Sequence, residues 1–302
     1  MNRPVEGAFR AILAYGCFAA FHALGKELGR RYSTSQVLAT GSLAAAALTA
    51  AVLFGRGEAT AARVRPHLLL LRGAISGATA LCMFHALGRL PITTTYSLSL
   101  LGPVVAAVLS ALLLGERLDR RRVLAALAGF AGVLVVLRPA PGSLGTGHLA
   151  ALSVAVLFAG NAVLLRRIGG EESRWALVLA HVLGVLVCSA PFALPAWIAP
   201  SGRDLAAMAL IGLLMSAGHA LLVTAFQRAE VAVVGGLQYT QLLWGAAFGA
   251  VLLGEVPPPG AWPGVLLLIG SGTYILLHGR RAARQAEAPC TSTSNTALDE
   301  AE

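Results

Sequence analysis

Charge is what this chain of 302 residues has least of: Asp, Glu, Lys and Arg make up 12% of it, against 57% hydrophobic residues, and the mean hydropathy is +0.74. A soluble domain is about a quarter charged. A water-exposed surface could not be covered from this supply, so the bilayer is the solvent that fits. Lysine is nearly missing; Lys26 is the only one, and arginine supplies every other strong cation. No Asp or Glu stands in the middle of an apolar run. If proton coupling is used, histidine is then the one side chain in the runs that ordinarily titrates near neutral pH. No Gly-rich loop ends in Lys-Ser or Lys-Thr, which excludes an ATP site of that type, and neither His-Glu-x-x-His nor Gly-x-Ser-x-Gly occurs. Cys17, Cys82 and Cys188 fall in apolar runs and Cys290 in a polar tail, a spacing that fits neither a metal site nor a disulfide framework. No cofactor or metal is therefore expected.

What is present is a succession of apolar runs: Ala8–Leu24, Ser35–Phe54, His67–Leu87, Ile92–Leu114, Val123–Leu137, Leu149–Leu165, Trp175–Ile198, Leu205–Phe226, Val231–Leu253 and Trp262–Leu277. A transmembrane helix needs about 20 such residues, and the breaks carry Gly, Pro or charge. The expected fold is an all-α membrane protein of ten transmembrane helices. The first run follows a short Arg-bearing start without a small-x-small cleavage site and reads as the first span, not as a targeting segment. The net charge of +9 would suggest nucleic acid in a soluble protein. Here the cations cluster between spans, where they set orientation, and no nucleic-acid partner is expected. With the N-terminus cytoplasmic, 17 of the cations fall inside, Arg72 among them, and 6 outside, Lys26 among them. Both termini are then cytoplasmic, in a bacterial inner membrane. Trp175, Trp197 and Trp262 sit at run ends, as interface anchors do.

The chain contains itself twice. Residues Ala86–Glu116 align without a gap on Ala225–Glu255 at an offset of 139, with Leu114-Gly115-Glu116 over Leu253-Gly254-Glu255, His22 over Asn161 and Ser99 over Gln238. Each copy holds five spans; five is odd, so the copies are inverted in the membrane, a plan recurrent in secondary transporters. The expected organisation is a cytoplasmic segment 1–7, repeats 8–137 and 148–278, and a disordered cytoplasmic tail 279–302.

Two five-helix units, each with a fourth helix ending in Leu-Leu-Gly-Glu, resemble the drug/metabolite transporter superfamily, specifically its ten-span EamA-type members. The resemblance covers about residues 8–278. It implies gradient-driven carriage of a small metabolite by alternating access, and more often export than import. An amino-acid derivative or an opine-type metallophore such as pseudopaline is the implied cargo; import of riboflavin or S-adenosylmethionine stays open. So does an outer-membrane export partner or a homodimer. The Glu255-Val256-Pro257-Pro258-Pro259 continuation departs from Glu116-Arg117-Leu118 in the first copy.

Polar groups inside hydrocarbon need protein or water around them. His22, His85, Asn161 and His219 are expected to line a cavity, His181 less so; each can equally serve as an interhelical hydrogen-bond partner. In the ninth run Gln238, Tyr239, Gln241 and Trp244 suggest a surface for a polar solute, and Tyr96 and Ser99 face it from the fourth. Gly102-Pro103 should bend that helix. Glu116 and Glu255, at span ends, are solvated caps or take part in gating or coupling. Gly73 and Gly77, and Gly245 and Gly249, are spaced for close helix contact. Ser216 and His219 share a helical face, the only hint of an intramembrane hydrolase.

Overall fold

The computed structural model describes residues 3–55, 65–102, 105, 109, 124, 127, 128, 130–132, 134, 135, 144–168, 173–228, 234, 237–256, 258–267, 269, 270 and 274. Its helices are α1 (Arg3–Leu28), α2 (Thr34–Gly55), α3 (Pro66–Leu87), α4 (Ile92–Ser99), α5 (Thr146–Ile168), α6 (Arg174–Ala193), α7 (Gly202–Arg228) and α8 (Thr240–Phe248), and no strand occurs among the described residues. Six stretches are long and apolar enough to cross a membrane: Val5–Leu28, Thr34–Gly55, Pro66–Leu87, Thr146–Leu164, Arg174–Ala196 and Gly202–Ala225. Each begins or ends outside its apolar run, because a helix continues through polar neighbours until a turn stops it. Pro66 opens α3 at a position where its missing N–H costs nothing. The outward faces are apolar: Leu70, Leu194, Phe54 and Val187 are all at least 68% exposed, which in a bilayer is contact with acyl chains.

Partners and directions follow from named contacts. α1 and α7 are antiparallel: Glu6 pairs with Arg228 at one end, Phe18 lies on Gly218 and His219 midway, and Tyr32 donates to Asp204 at the other end (2.8 Å). α3 runs parallel to α1, with Phe84 against His22 and Gly25, and antiparallel to α5, with His85 near Thr146 and Arg72 on Asn161.

Small residues let two further pairs approach backbone to backbone. A Cβ on Gly73 would meet the Ala180 carbonyl at 3.0 Å and Gly184 Cα at 3.4 Å, and one on Gly77 would strike Cys188. This is the α3–α6 seam. In the α2–α7 seam a Cβ on Gly212 would strike the Gly41 carbonyl, and Thr49 bonds to Ser216 (3.1 Å). At the offset of 139 Gly73 corresponds to Gly212, Gly41 to Ala180, Ala45 to Gly184, and Thr49 to Cys188. One seam is therefore the residue-by-residue counterpart of the other.

The fourth and ninth runs are interrupted at matching places. α4 stops at Ser99, followed by a turn at Leu100 and Leu101. α8 starts at Thr240, preceded by a turn at Gln238 and Tyr239. Tight i to i+3 bonds close both, Leu101 N to Leu98 O at 3.2 Å and Gln241 N to Gln238 O at 2.9 Å. The bend expected at Gly102-Pro103 thus falls just before it; Pro103 lies outside the described residues. α8 runs on as a π turn, Gly249–Leu253, and Gly254 (φ 68°) ends it in the left-handed conformation that glycine tolerates.

Candidate functional site

The interrupted spans pack directly on one another beside α1, with Tyr96 and Ile92 of α4 on Gly245 and Gly249. His22 Nδ1 lies 2.9 Å from the Tyr96 hydroxyl, and the Gln241 amide, one turn before Gly245 on α8, acts electrostatically on the same hydroxyl. Tyr96 reaches this point because Gly245 has no side chain where the ring lies. All three polar side chains are at most 8% exposed. On the next turns of α1, Trp244 lies over Gly16, with Cε2 3.3 Å from where a Cβ would stand, and stacks on Phe248. The Tyr15 hydroxyl donates to the Val234 carbonyl (3.1 Å). Gln238 and Tyr239 are buried beside them.

A second polar group adjoins the first through rings on α1, since Phe21 lies against His22, Phe18 against Phe21, and His219 against Phe18. The His219 and His181 rings lie against each other, centroids 3.7 Å apart and planes tilted by 36°. His219 Nδ1 donates to the Met215 carbonyl (2.8 Å), leaving Nε2 as the acceptor of a neutral ring. The side chain behind them is Arg72, only 2% exposed. Its Nε donates to the Leu177 carbonyl (3.1 Å) and its Nη1 to Asn161 Oδ1 (3.0 Å). It acts electrostatically on both histidines.

Arg72 is the residue that the sequence reading misses. It was counted with the flanking arginines at the cytoplasmic end of the third span, yet it stands inside α3 and is a fixed cation within the bundle. The bias of the remaining arginines is unaffected. The signal that could have found it is helical spacing: it lies six residues past Pro66, about 9 Å along the axis, next to the Gly73–Gly77 face.

The other expected residues divide. Asn161 is held by Arg72. The Ser99 hydroxyl is turned to its own helix, donating to Thr95 O (2.8 Å), as Thr95 and Ser97 also do. His85 sits apart, at the end of α3, between Thr146 (3.2 Å) and Arg89 (3.2 Å). Ser216 points into α2, bonded to Thr49 (3.1 Å) and to the Ala45 carbonyl (3.2 Å), while His219 faces Phe18 and His181. No Ser–His dyad forms there.

Glu255 closes one end of the bundle. Its Oε1 pairs with Lys26 Nζ at 2.6 Å, its Oε2 accepts from Ile92 N at 2.9 Å, and Lys26 also donates to the Leu90 carbonyl (2.6 Å). At the same end Asp204 receives Tyr32 and Arg31, and the Gln36 amide is bonded both ways to the backbone of Ile198. Lys26 and Asp204 carry these joins and were not expected to. Glu116 lies outside the described residues.

Residues 5–138 and 145–277 match the profile of the EamA-like transporter family. The pseudopaline exporter CntI of Pseudomonas aeruginosa (strain UCBPP-PA14) is 24% identical over 266 residues, covering 87% of this chain and 93% of its own. The S-adenosylmethionine uptake transporter of Rickettsia felis is 23% identical over 259 residues, covering 86% and 88%. A solved crystal structure superposes with a TM-score of 0.68 at 21% identity, over 93% of this chain and 98% of its own, and so shares the fold.

Proposed function

This chain belongs to the EamA-like transporter family, a multi-pass membrane transporter by its helices and its relatives, and from that premise we propose that it exports a small polar metabolite from a bacterial cytoplasm by alternating access. The cargo class is an amino-acid derivative, with an opine-type metallophore of the pseudopaline kind as its best representative. The architecture in this reading is ten helices in two inverted five-helix copies, with the termini cytoplasmic and the tail beyond residue 278 outside the bundle.

One observation carries the reading. The Tyr96 hydroxyl of α4 lies within hydrogen-bond distance of His22 of α1, and the Tyr96 ring lies on Gly245 of α8, one turn from Gln241, so that all three meet between two interrupted spans at matched positions of the two copies. Interrupted helices facing each other are where secondary transporters hold their solutes, because the broken turns leave backbone groups to bind with. Helix directions support the inversion. α3 is parallel to α1 and antiparallel to α5, so α1 opposes its counterpart α5; α7 is antiparallel to α1 and so opposes α3.

The solute-binding set in this reading is His22, Tyr96, Gln238, Tyr239, Gln241 and Trp244, with Asn161 and His219 on the adjoining side. Ser99 and His85 stand nearer the margin. Glu255, clasping Lys26 and the Ile92 amide, gates the end away from the termini; rocking of one copy against the other parts this clasp and makes an equivalent closure at the opposite end. A gradient, not ATP, drives the cycle.

The test is direction-resolved transport. Inside-out vesicles carrying the full chain should accumulate pseudopaline faster than vesicles without it, and His22→Ala and Gln241→Ala should each lower the initial rate about ten-fold or more. Uptake of S-adenosylmethionine by intact cells, with none of pseudopaline by the vesicles, would replace the export reading by import.

A further inference from the structure

The buried guanidinium of Arg72 has no carboxylate partner among the described residues, and that asks for an occupant. A cation in a bilayer span is costly, and the usual remedy is an acid nearby. Here two of the five N–H groups that a guanidinium carries are directed to Asn161 Oδ1 and the Leu177 carbonyl. Both acceptors are neutral. They orient the plane without cancelling the charge. Among the described residues Nη2 meets no acceptor and one N–H of Nη1 is left as well, so a fork of the shape that a carboxylate fills remains open. The charge of Arg72 is felt by two rings that lie against each other: His219, whose Nδ1 is spent on the Met215 carbonyl, and His181, whose buried Nδ1 has no hydrogen-bond partner among the described residues.

Resting on the carrier reading above, we propose that Arg72, oriented by Asn161 and the Leu177 carbonyl, is a carboxylate subsite, so that the transported solute is an organic acid that supplies the missing anion. The His181–His219 pair takes a neutral donor group next to that carboxylate, and the aromatic face of α1 leads from there to His22, Tyr96 and Gln241, which take the remaining polar end. The chemistry selects amino-acid-derived acids over their esters and amides.

The test uses the purified full chain and three acids, octopine, N-acetyl-L-histidine and L-histidine, each beside its methyl ester. Affinity is read from ligand-induced shifts in Tm. At least one acid should stabilise the protein, with its ester at least about ten-fold weaker. Arg72→Gln should lower affinity for that acid by a similar factor, and Arg72→Lys, which keeps charge but not the fork, by less. Should Arg72→Gln fail to fold, Asn161→Asp serves instead. It places a built-in carboxylate where Oδ1 already lies 3.0 Å from Nη1, so the fold is kept while acid binding is lost. An ester as good as its acid, unchanged affinity in Arg72→Gln or Asn161→Asp, or no response to any of the acids overturns the subsite. A protein that binds acids through Arg72 yet moves none of them in vesicles would leave the subsite in place and strike the carrier reading instead.

Discussion

The two glycine seams and the two polar groups obey opposite rules. The α3–α6 and α2–α7 seams are copies: the same close approach recurs at positions 139 residues apart, with Gly73 and Gly212 as counterparts and a carbonyl of the facing helix beneath each. The polar positions are not copies. Asn161 corresponds to His22, but Arg72 corresponds to Ile211, His219 to Ala80, and His181 to Ser42. Duplication therefore maintained the contacts that make the bundle and let the polar positions diverge. In the alternating-access reading proposed above, a bundle that rocks between two faces benefits from equivalent bearings, and a solute with distinct ends requires a wall that differs from one copy to the other.

The largest effect should come from a seam. Gly184→Val forces a branched side chain onto the backbone of Gly73; with no rotamer to escape into, the cost should reach or exceed ~3 kcal/mol, the upper part of the usual overpacking range. Loss of folded yield or a steep fall in Tm is expected. Gly160→Ala, where nothing lies within 4 Å, is the matched control and should leave Tm unchanged or slightly raised; equal damage from both would erase the distinction. Tyr96→Phe comes next. Removing the hydroxyl leaves the buried His22 ring without its 2.9 Å partner, at about 1–3 kcal/mol, so Tm should fall, by less than in Gly184→Val, and initial transport rates should fall by about 10-fold or more with the seams intact. For the end clasp, Lys26→Glu and Glu255→Lys should each impair transport, while the double exchange should recover part of it. A coupling of about 0.5–3 kcal/mol between the two positions is expected from a double-mutant cycle, and additive effects would remove the clasp. Smallest is Ser216→Ala, which should cost about 1 kcal/mol or less through Thr49 and leave transport untouched; abolished activity would revive the hydrolase reading.

The seams and most of the first polar group were legible in the sequence because each follows from a local rule. Gly73 and Gly77 stand four apart on one helical face, and His22, Gln238 and Gln241 are polar residues in apolar runs with no soluble surface to occupy. Arg72 was not legible for the converse reason. Arg63, Arg65 and His67 precede the leucine stretch Leu68–Leu71 and Arg72 follows it directly, and a cation that close to the flank reads as part of it. Its depth depends on where α3 begins and how α5 and α6 lie against it, which are tertiary facts. Lys26 and Asp204 escaped similarly, as charges at span ends whose partners come from distant helices. Ser99 shows what spacing alone leaves open: its hydroxyl makes its bond within its own helix, to the Thr95 carbonyl.

The clasp at Lys26 has a practical corollary. The chain has one ε-amine, and it is enclosed in the closed end of the bundle, 13% exposed and tied to Glu255. A membrane-impermeant acylating reagent therefore has a single lysine to modify, and, if that end opens as the proposed gating requires, its rate of reaction becomes a stopwatch for the opening, slowed or quickened by whichever solute is supplied.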